Sequence, residues 1–168
     1  MKHLQSPKGL SPFGAARFIM GPLVPLAGLA VAAMLAWPEI TRFPGRPHTS
    51  IVALGWLWLG LGVALWATTV RRFLRGFRAG ELITDGPFAL CRNPLYASVA
   101  LFVLPGLGLI LETWTLLLLV PVAAVLVVRA ARREERDLAR LFGAEWDAYA
   151  ARTGRLLPLP PTRGWWGR

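Results

Sequence analysis

Two polar segments, 71–94 and 129–158, carry most of the residues that could do chemistry in this chain. Both are dense in arginine and acidic residues, and they flank two apolar runs that only Glu112 and Thr113 separate. Such a short connection predicts a tight helical hairpin, so the polar segments at its open end should meet. We therefore expect a polar site at the mouth of an apolar helix bundle, which suits a water-soluble cosubstrate and a lipid-like acceptor.

The first polar segment contains a turn and a helix start. Asp85-Gly86-Pro87 predicts a turn, and Asn93-Pro94 predicts the end of an extended piece just before a helix. Arg92 then lies at the boundary of the apolar run, and Pro94 suits the first helical turn. These residues alone fit a structured loop with a boundary arginine as well as they fit a binding site.

The second polar segment has the pattern of an amphipathic helix that continues out of the last apolar run. Arg133 is expected to pair with Asp137, and Arg132 with Glu135, because residues three or four apart are neighbours on a helix. These pairs would form a solvated helix face, whereas a binding role for Glu134 and Glu135 is the alternative. The apolar positions of this helix are Leu138, Leu141, Phe142, Trp146 and Tyr149.

Gly106 and Gly108 lie inside the third apolar run. They do not form a dinucleotide-binding fingerprint, because no third glycine follows and no strand precedes them. Small residues in a membrane helix usually allow close helix packing. The alternative is that bare backbone at these positions lets a ligand approach.

The composition predicts a small, single-domain membrane protein. Of the 168 residues, 55% are hydrophobic and only 17% are charged, with a mean hydropathy of +0.48. A soluble domain usually has about 25% charged residues. A helix that spans a bilayer needs about 20 mostly apolar residues, and four runs reach or approach that length. They are Phe18–Trp37, Ile51–Val70, Leu95–Leu111 and Trp114–Val128.

The placement of basic residues predicts the orientation. Segments 1–17, 71–94 and 129–168 together hold 17 Lys and Arg residues, and segment 38–50 holds two. The positive-inside rule therefore puts both termini and the middle polar segment in the cytoplasm, and it explains the basic charge without a nucleic-acid partner. One Cys and two His exclude a disulfide framework and a multi-ligand zinc site, so no metal is expected.

The predicted fold is all-α. It has about four transmembrane helices, the last two as a tight hairpin, followed by a cytoplasmic amphipathic C-terminal helix. The whole chain, 1–168, forms one domain in which 1–79 supplies the first two spans.

Several motifs between residues 80 and 160 resemble those of integral-membrane methyltransferases, which include isoprenylcysteine carboxyl methyltransferases and phospholipid N-methyltransferases. The strongest motif, from Gly86 to Tyr96, is similar to the family's Gly-Pro-Tyr…Arg-His-Pro-x-Tyr signature. The pair Glu134-Glu135 is similar to the family's acidic pair. Asn93 replaces the family histidine, so no role that needs an imidazole carries over to this position. Phe88 replaces the tyrosine of Gly-Pro-Tyr, which removes a hydroxyl but keeps the aromatic ring. The matching stretches are Gly86-Pro87-Phe88, Arg92-Asn93-Pro94-Leu95-Tyr96, Gly106-x-Gly108, Glu134-Glu135, Phe142 to Tyr149 and Arg155-Leu156-Leu157-Pro158.

The resemblance implies a methyltransferase that uses S-adenosylmethionine, in the inner membrane of a bacterium and with its active site on the cytoplasmic side. Glutamates suit the ammonium of this cofactor, an arginine suits its carboxylate, and aromatic rings can cover the adenine. The residues expected to bind it are Gly86, Arg92, Asn93, Pro94, Tyr96, Gly106, Gly108, Glu134 and Glu135.

The resemblance also implies a lipid or lipidated acceptor. A carboxylate acceptor, such as an isoprenylcysteine, needs only a cation to hold it, and Arg155 is the candidate. An amine acceptor, as in phosphatidylethanolamine, must lose a proton, and Glu134 or Glu135 is the available base. A thiol acceptor is a further possibility. The expected catalytic residues are therefore Arg155 and Glu134.

The competing class is a non-enzymatic assembly or carrier protein, which predicts no cofactor binding.

Overall fold

The computed structural model describes residues 16–45 and 48–158, and all regular secondary structure in these ranges is helical. Arg46 and the outer parts of both predicted cytoplasmic termini lie outside the described residues. Three helices are long and apolar enough to cross a membrane. They are α1 (Ala16–Ala36), α3 (Thr49–Ala79) and α7 (Trp114–Phe142), and a short α2 (Pro38–Thr41) follows α1.

The third apolar run forms a shorter and less regular helix than the other three. It follows the short α4 (Pro87–Leu90) and consists of α5 (Pro94–Ser98), a π-helical turn (Val99–Val103) and α6 (Leu104–Ile110). Pro105 has no N–H to donate to the carbonyl of Leu101, four residues earlier. The indole Nε1 of Trp58, on α3, donates to that carbonyl at 2.9 Å. Trp58 thus satisfies a backbone group that lipid could not.

A three-residue connection turns α6 back into α7, as the sequence predicts. Glu112 adopts a positive φ of 48°, and the Thr113 side chain caps the start of α7 by accepting a hydrogen bond from the backbone of Thr115. Thr113 also donates to the Thr41 carbonyl at 2.9 Å, and Glu112 accepts the backbone N–H of His48 at 2.6 Å. This end of the helix bundle is therefore tied together by polar contacts between its two connections.

Small residues let the helices approach closely. A Cβ atom on Gly55 of α3 would lie 2.8 Å from the backbone nitrogen of Ile110, and one on Gly106 would lie 2.9 Å from that of Leu59. The backbones of α3 and α6 are therefore in direct contact, as in other membrane helix pairs with small residues at the crossing. The buried cluster between α1, the π-helical turn, α6 and α7 is also made mainly of small and medium side chains: Ile19, Leu23, Ala100, Leu104, Ala123, Val127 and Ala130.

The amphipathic segment after the last apolar run forms two helices, whereas the sequence predicts one. Helix α7 continues to Phe142, and α8 (Ala144–Arg152) follows after Gly143. Gly143 has a φ of +52°, a conformation that glycine adopts without the steric cost of a side chain. This break turns α8 away from the α7 axis, and Trp146 and Tyr149 of α8 are buried.

Candidate active site

A cavity of about 560 Å³ lies at the end of the bundle where α3 ends and where the polar part of α7 begins. We call this the basic end, because the described residues of the 71–94 and 129–158 segments lie there. The cavity walls come from both segments and from the start of α1. Its aromatic lining consists of Phe18, Phe73, Phe77, Phe88, Phe142, Trp146 and Tyr149, and its charged lining of Arg17, Glu81, Arg92, Arg133, Glu134, Glu135 and Asp137.

Glu135 holds two arginines from distant parts of the chain. Its carboxylate accepts hydrogen bonds from Arg155 Nε at 2.9 Å and from Arg155 Nη2 at 2.6 Å. Arg92 Nε lies 3.5 Å from Glu135 Oε1, the same oxygen that accepts from Arg155 Nε. The side chains of Glu135 and Arg92 are only 11% and 9% exposed. The expected pairing of Arg132 with Glu135 is therefore wrong, because these partners occupy the carboxylate.

Backbone pairing positions Arg92 beside this carboxylate. The Arg92 N–H donates to the Gly154 carbonyl at 2.8 Å, and the Asn93 N–H donates to the Arg155 carbonyl at 3.2 Å. The Asn93 side chain donates to the same Arg155 carbonyl at 3.2 Å. The segment before Pro94 is thus fixed against the segment after α8. Asn93 keeps a hydrogen-bonding role at the position where the resembling family has histidine.

Glu134 lines the cavity and has a carboxylate oxygen without a hydrogen-bond partner. Its Oε2 atom is buried and accepts no hydrogen bond from the described residues, and Arg92 Nε is likewise buried without a hydrogen bond. Glu134 is also surrounded by like charge, since Glu135 and Asp137 are nearby. A buried carboxylate oxygen without a donor is costly in a native protein. It therefore marks a place where a cationic or N–H-bearing ligand group would be stabilised.

The aromatic wall is fixed by contacts within it. The Tyr149 hydroxyl donates to the Phe88 carbonyl at 2.7 Å, and the rings of Trp146 and Tyr149 meet edge to face. Burial raises the pKa of Tyr149, so its hydroxyl stays protonated and remains a donor. The Arg92 guanidinium lies 5.9 Å from the centre of the Trp146 ring. Burial lowers the pKa of Arg92 while Glu135 opposes that shift, and the guanidinium stays charged at neutral pH.

Cys91 lies beside this wall but does not offer a reactive thiolate. Its side chain is buried, and burial raises the pKa of the thiol to about 11. The thiolate is the nucleophilic form of cysteine, so the thiol is inert near neutral pH.

Four of the predicted cofactor residues line the cavity together: Arg92, Asn93, Glu134 and Glu135. Gly86 lies in a neighbouring surface depression with Asp85 and Arg152. Arg155 is not part of the cavity lining; its side chain contacts the lining residue Glu135, and its carbonyl accepts hydrogen bonds from the lining residue Asn93. The other predicted residues lie in the helix bundle and do not line the cavity: Pro94, Tyr96, Gly106 and Gly108. Tyr96 is nonetheless close enough to Glu134 for an electrostatic interaction.

Gly106 and Gly108 face neighbouring helices. A Cβ atom on Gly106 would meet the backbone of Leu59, and one on Gly108 would lie 2.7 Å from the Leu117 side chain. Protein atoms fill the space beside both glycines, which favours the interpretation that they allow close helix packing. Their contact with a cofactor stays a prediction.

Sequence reasoning missed the residues that α1 and α3 contribute to the cavity. Phe73 and Phe77 lie four residues apart near the end of α3, with ring centres 5.4 Å apart. This spacing is the available sequence signal, because it places both rings on one helix face. Arg17 and Phe18 gave no signal, since the contact of α1 with α7 brings them to the cavity.

The sequence profile of the phospholipid methyltransferase family matches residues 49–145. Two curated proteins are each 34% identical over 115 residues: the nickel-cobalt-cadmium resistance protein NccN of Alcaligenes xylosoxydans xylosoxydans and the cobalt-zinc-cadmium resistance protein CzcN of Cupriavidus metallidurans. The matched region covers 68% of this chain, 48% of the first relative and 47% of the second. The chain thus spans about half the length of these relatives. No solved structure matches.

The profile match begins at the first residue of α3 and ends in the first turn of α8, so it includes every cavity residue of the 71–94 segment and of α7. It covers more than half of the chain. Together with three apolar helices of membrane-spanning length, the match identifies this protein as an integral-membrane member of the phospholipid methyltransferase family.

Proposed function

We propose that this protein transfers a methyl group from S-adenosylmethionine to the head of a membrane amphiphile at the basic end of the bundle. The observation that carries the proposal is the unpartnered, buried carboxylate oxygen of Glu134. The residue Glu134 lines an aromatic-walled cavity at the end of apolar helices, in a chain of a lipid methyltransferase family.

The cavity fits the cofactor in size and in chemistry. Its volume of about 560 Å³ lies within the usual range for small-molecule pockets. Glu134 would hold the cofactor's ammonium, Arg92 would hold its carboxylate, and Phe88 and Trp146 offer faces for its adenine. When bound, the cofactor supplies an electrophilic methyl group on a sulfonium centre.

The residues around the cavity then serve mainly to align and to exclude water. In a displacement at carbon, most of the gain comes from holding donor and acceptor in line in a dry site. The aromatic wall, which Tyr149 fixes to Phe88, shields the cavity, and the Glu135 ion pairs hold Arg92 in place. Arg155 would act as a positioning residue through Glu135.

An amine is the acceptor head that we propose. The carboxylate alternative, as in an isoprenylcysteine, needs a free cation at Arg155, and the bidentate pairing of Arg155 with Glu135 weighs against it. Glu134 would take up the proton of the amine at its other carboxylate oxygen, Oε1, while Oε2 holds the ammonium of the cofactor. The family match supports a phosphatidylethanolamine-type amine over a thiol.

The same proposal includes the arrangement in the membrane. The 17 residues of Pro94–Ile110 would form a fourth crossing, paired with α7 in the hairpin, although they are few for a full bilayer. The basic end would face the cytoplasm of a bacterium, because it carries the excess of arginine.

The names of the two relatives favour one second candidate, a non-enzymatic subunit of a metal-resistance system. Within the described residues, no group of three or more His, Cys, Asp or Glu side chains is arranged to hold a metal ion. The two candidates differ in a simple way, since only the methyltransferase should bind the cofactor.

Binding of S-adenosylhomocysteine to the detergent-solubilised protein, measured by calorimetry, tests the proposal. We expect saturable binding that Glu134→Gln weakens at least about tenfold, the value of one lost charge-assisted hydrogen bond. Glu145→Gln is the matched control, because Glu145 is exposed on α8 and lies outside the cavity lining.

Transfer of a labelled methyl group to vesicles then identifies the acceptor. Vesicles that contain phosphatidylethanolamine should be labelled more than vesicles that contain an isoprenylcysteine or a long-chain thiol. Absence of saturable cofactor binding would exclude the methyltransferase and leave the non-enzymatic candidate.

A further inference from the structure

Two arginines from different helices contact the same aromatic ring at the rim of the cavity. The Arg17 guanidinium carbon lies 4.8 Å from the centre of the Phe18 ring, and that of Arg133 lies 4.7 Å from it. All three residues line the cavity. Such cation–π contacts hold a guanidinium in place while leaving its N–H donors free. We call these two residues the arginine pair.

Neither member of the arginine pair has an acidic partner among the described residues. The expected pairing of Arg133 with Asp137 is wrong, because Asp137 lies 3.7 Å from Arg140 instead. Glu135, the other neighbouring carboxylate, is held by Arg92 and Arg155. Two exposed guanidinium groups therefore face the cavity with their charge uncompensated, which favours an anionic ligand.

The arginine pair lies where the apolar bundle meets the cavity. Arg17 and Phe18 belong to the first turn of α1, directly before Ile19, which is buried in the core cluster. Arg133 follows Ala130, the cluster residue of α7 nearest the basic end. An amphiphile whose chains lie along the apolar helices would thus bring its head past these two arginines.

The charges of the cavity wall suit a ligand with both signs of charge. The arginine pair supplies a cationic rim, while Glu134 supplies an unpartnered carboxylate within the same lining. A head with an anion close to the lipid chains and a cation further out would match both. A phosphodiester followed by an amine has this order of charges, and a simple alkylamine lacks the anion.

We infer that Arg17 and Arg133 form a binding subsite for the phosphate group of the acceptor lipid, with Phe18 holding both guanidinium groups in position. The subsite selects acceptors that carry a phosphodiester beside the amine. This inference rests on the proposed function for its acceptor, but it can be tested by binding alone.

Binding of two short-chain amphiphiles, measured by native mass spectrometry in a maltoside detergent, tests the subsite. Didecanoyl phosphatidylethanolamine carries the phosphodiester, and decylamine does not. We expect Arg17→Gln with Arg133→Gln to weaken binding of the phospholipid by about tenfold to a hundredfold and to leave decylamine unchanged. Arg132→Gln is the matched control, since Arg132 is exposed next to Arg133 but lies outside the cavity lining.

Four results would overturn the inference. Equal loss of both amphiphiles, or no loss of either, would mean that the arginine pair does not recognise phosphate. A weaker affinity for S-adenosylhomocysteine in the double variant would assign the pair to the cofactor carboxylate. Displacement of the phospholipid by millimolar inorganic phosphate would mean a site for free anions rather than for a lipid head.

Two further measurements separate folding and turnover from recognition. Arg17→Lys and Arg133→Lys keep the charge but lose the planar fork, so they should bind the phospholipid with intermediate affinity and remain folded. If the wild-type protein transfers no methyl group but still prefers the phospholipid through Arg17 and Arg133, the proposed function fails and the phosphate subsite stands.

Discussion

The two adjacent glutamates of α7 should have opposite roles, and single substitutions can separate them. Glu135→Gln removes the charge that holds Arg92 and Arg155, whereas Glu134→Gln removes a charge with no hydrogen-bond partner at Oε2. We therefore expect Glu135→Gln to destabilise the fold and Glu134→Gln to weaken ligand binding. A joint replacement of both residues by alanine would mix the two effects.

The size of the stability loss follows from the burial of the ion pairs. The side chains of Glu135, Arg92 and Arg155 are 11%, 9% and 18% exposed. Removing one partner of a buried ion pair typically costs about 3–5 kcal/mol, because the remaining charge is left uncompensated. Glu135→Gln leaves two such charges beside each other, so we expect a loss in that range. Glu134→Gln breaks no hydrogen bond at Oε2 and should change the free energy of unfolding by about 1 kcal/mol or less.

Unfolding in mixed detergent micelles, followed by tryptophan fluorescence, measures these stabilities. Asp137→Asn is the control, because its ion pair with Arg140 joins side chains that are 59% and 80% exposed. Such a surface pair contributes about 0–1 kcal/mol. Affinity for S-adenosylhomocysteine is measured on the same samples. A Glu135→Gln variant as stable as the Asp137→Asn control would refute the assignment of Glu135 to the fold.

Two further predictions concern packing and thiol chemistry. Gly106→Ala should lower the free energy of unfolding by about 1–3 kcal/mol, because the added Cβ atom would press on the α3 backbone. The control Gly60→Ala lies on open helix surface and should leave the free energy of unfolding unchanged. If the Gly106→Ala protein is folded but binds the cofactor more weakly, that result supports the interpretation that a ligand approaches this glycine. Cys91 should resist alkylation at pH 8 in the folded protein and should react once denaturant is added. Burial raises the pKa of its thiol from 9.0 to about 11, so the reactive thiolate is the minor form at pH 8. Fast labelling of the native protein would contradict this burial.

The sequence predicts the apolar helices and the meeting of the two polar segments for simple physical reasons. Runs of about 20 uncharged residues have few alternatives to a membrane helix. The connection between α6 and α7 is too short for any arrangement other than a hairpin. That hairpin is why Arg92 and Asn93 reach the same cavity as Glu134 and Glu135.

Residue spacing did not predict which partner each charge would take. Helical spacing predicts ion pairs between Arg133 and Asp137 and between Arg132 and Glu135, because a sequence identifies only the partners that lie three or four residues away on a helix. In the folded chain, Glu135 pairs with arginines that lie 43 and 20 positions away. Buried long-range pairs prevail because a carboxylate shielded from water gains more from two guanidinium groups than an exposed one gains from a helix neighbour.

The sequence by itself therefore determined the helical fold class, the hairpin and the segments that form the site. The tertiary structure decided which of these residues line the cavity and which pack against neighbouring helices. Gly106 could face a ligand or a helix, and the crossing of α3 over α6 fills the space beside it with backbone. Arg17 gave no local signal, and only the packing of α1 against α7 brings it to the cavity with Arg133. Local pattern fixes which face of a helix is apolar, but contacts between distant segments fix which charges are left free to bind a ligand.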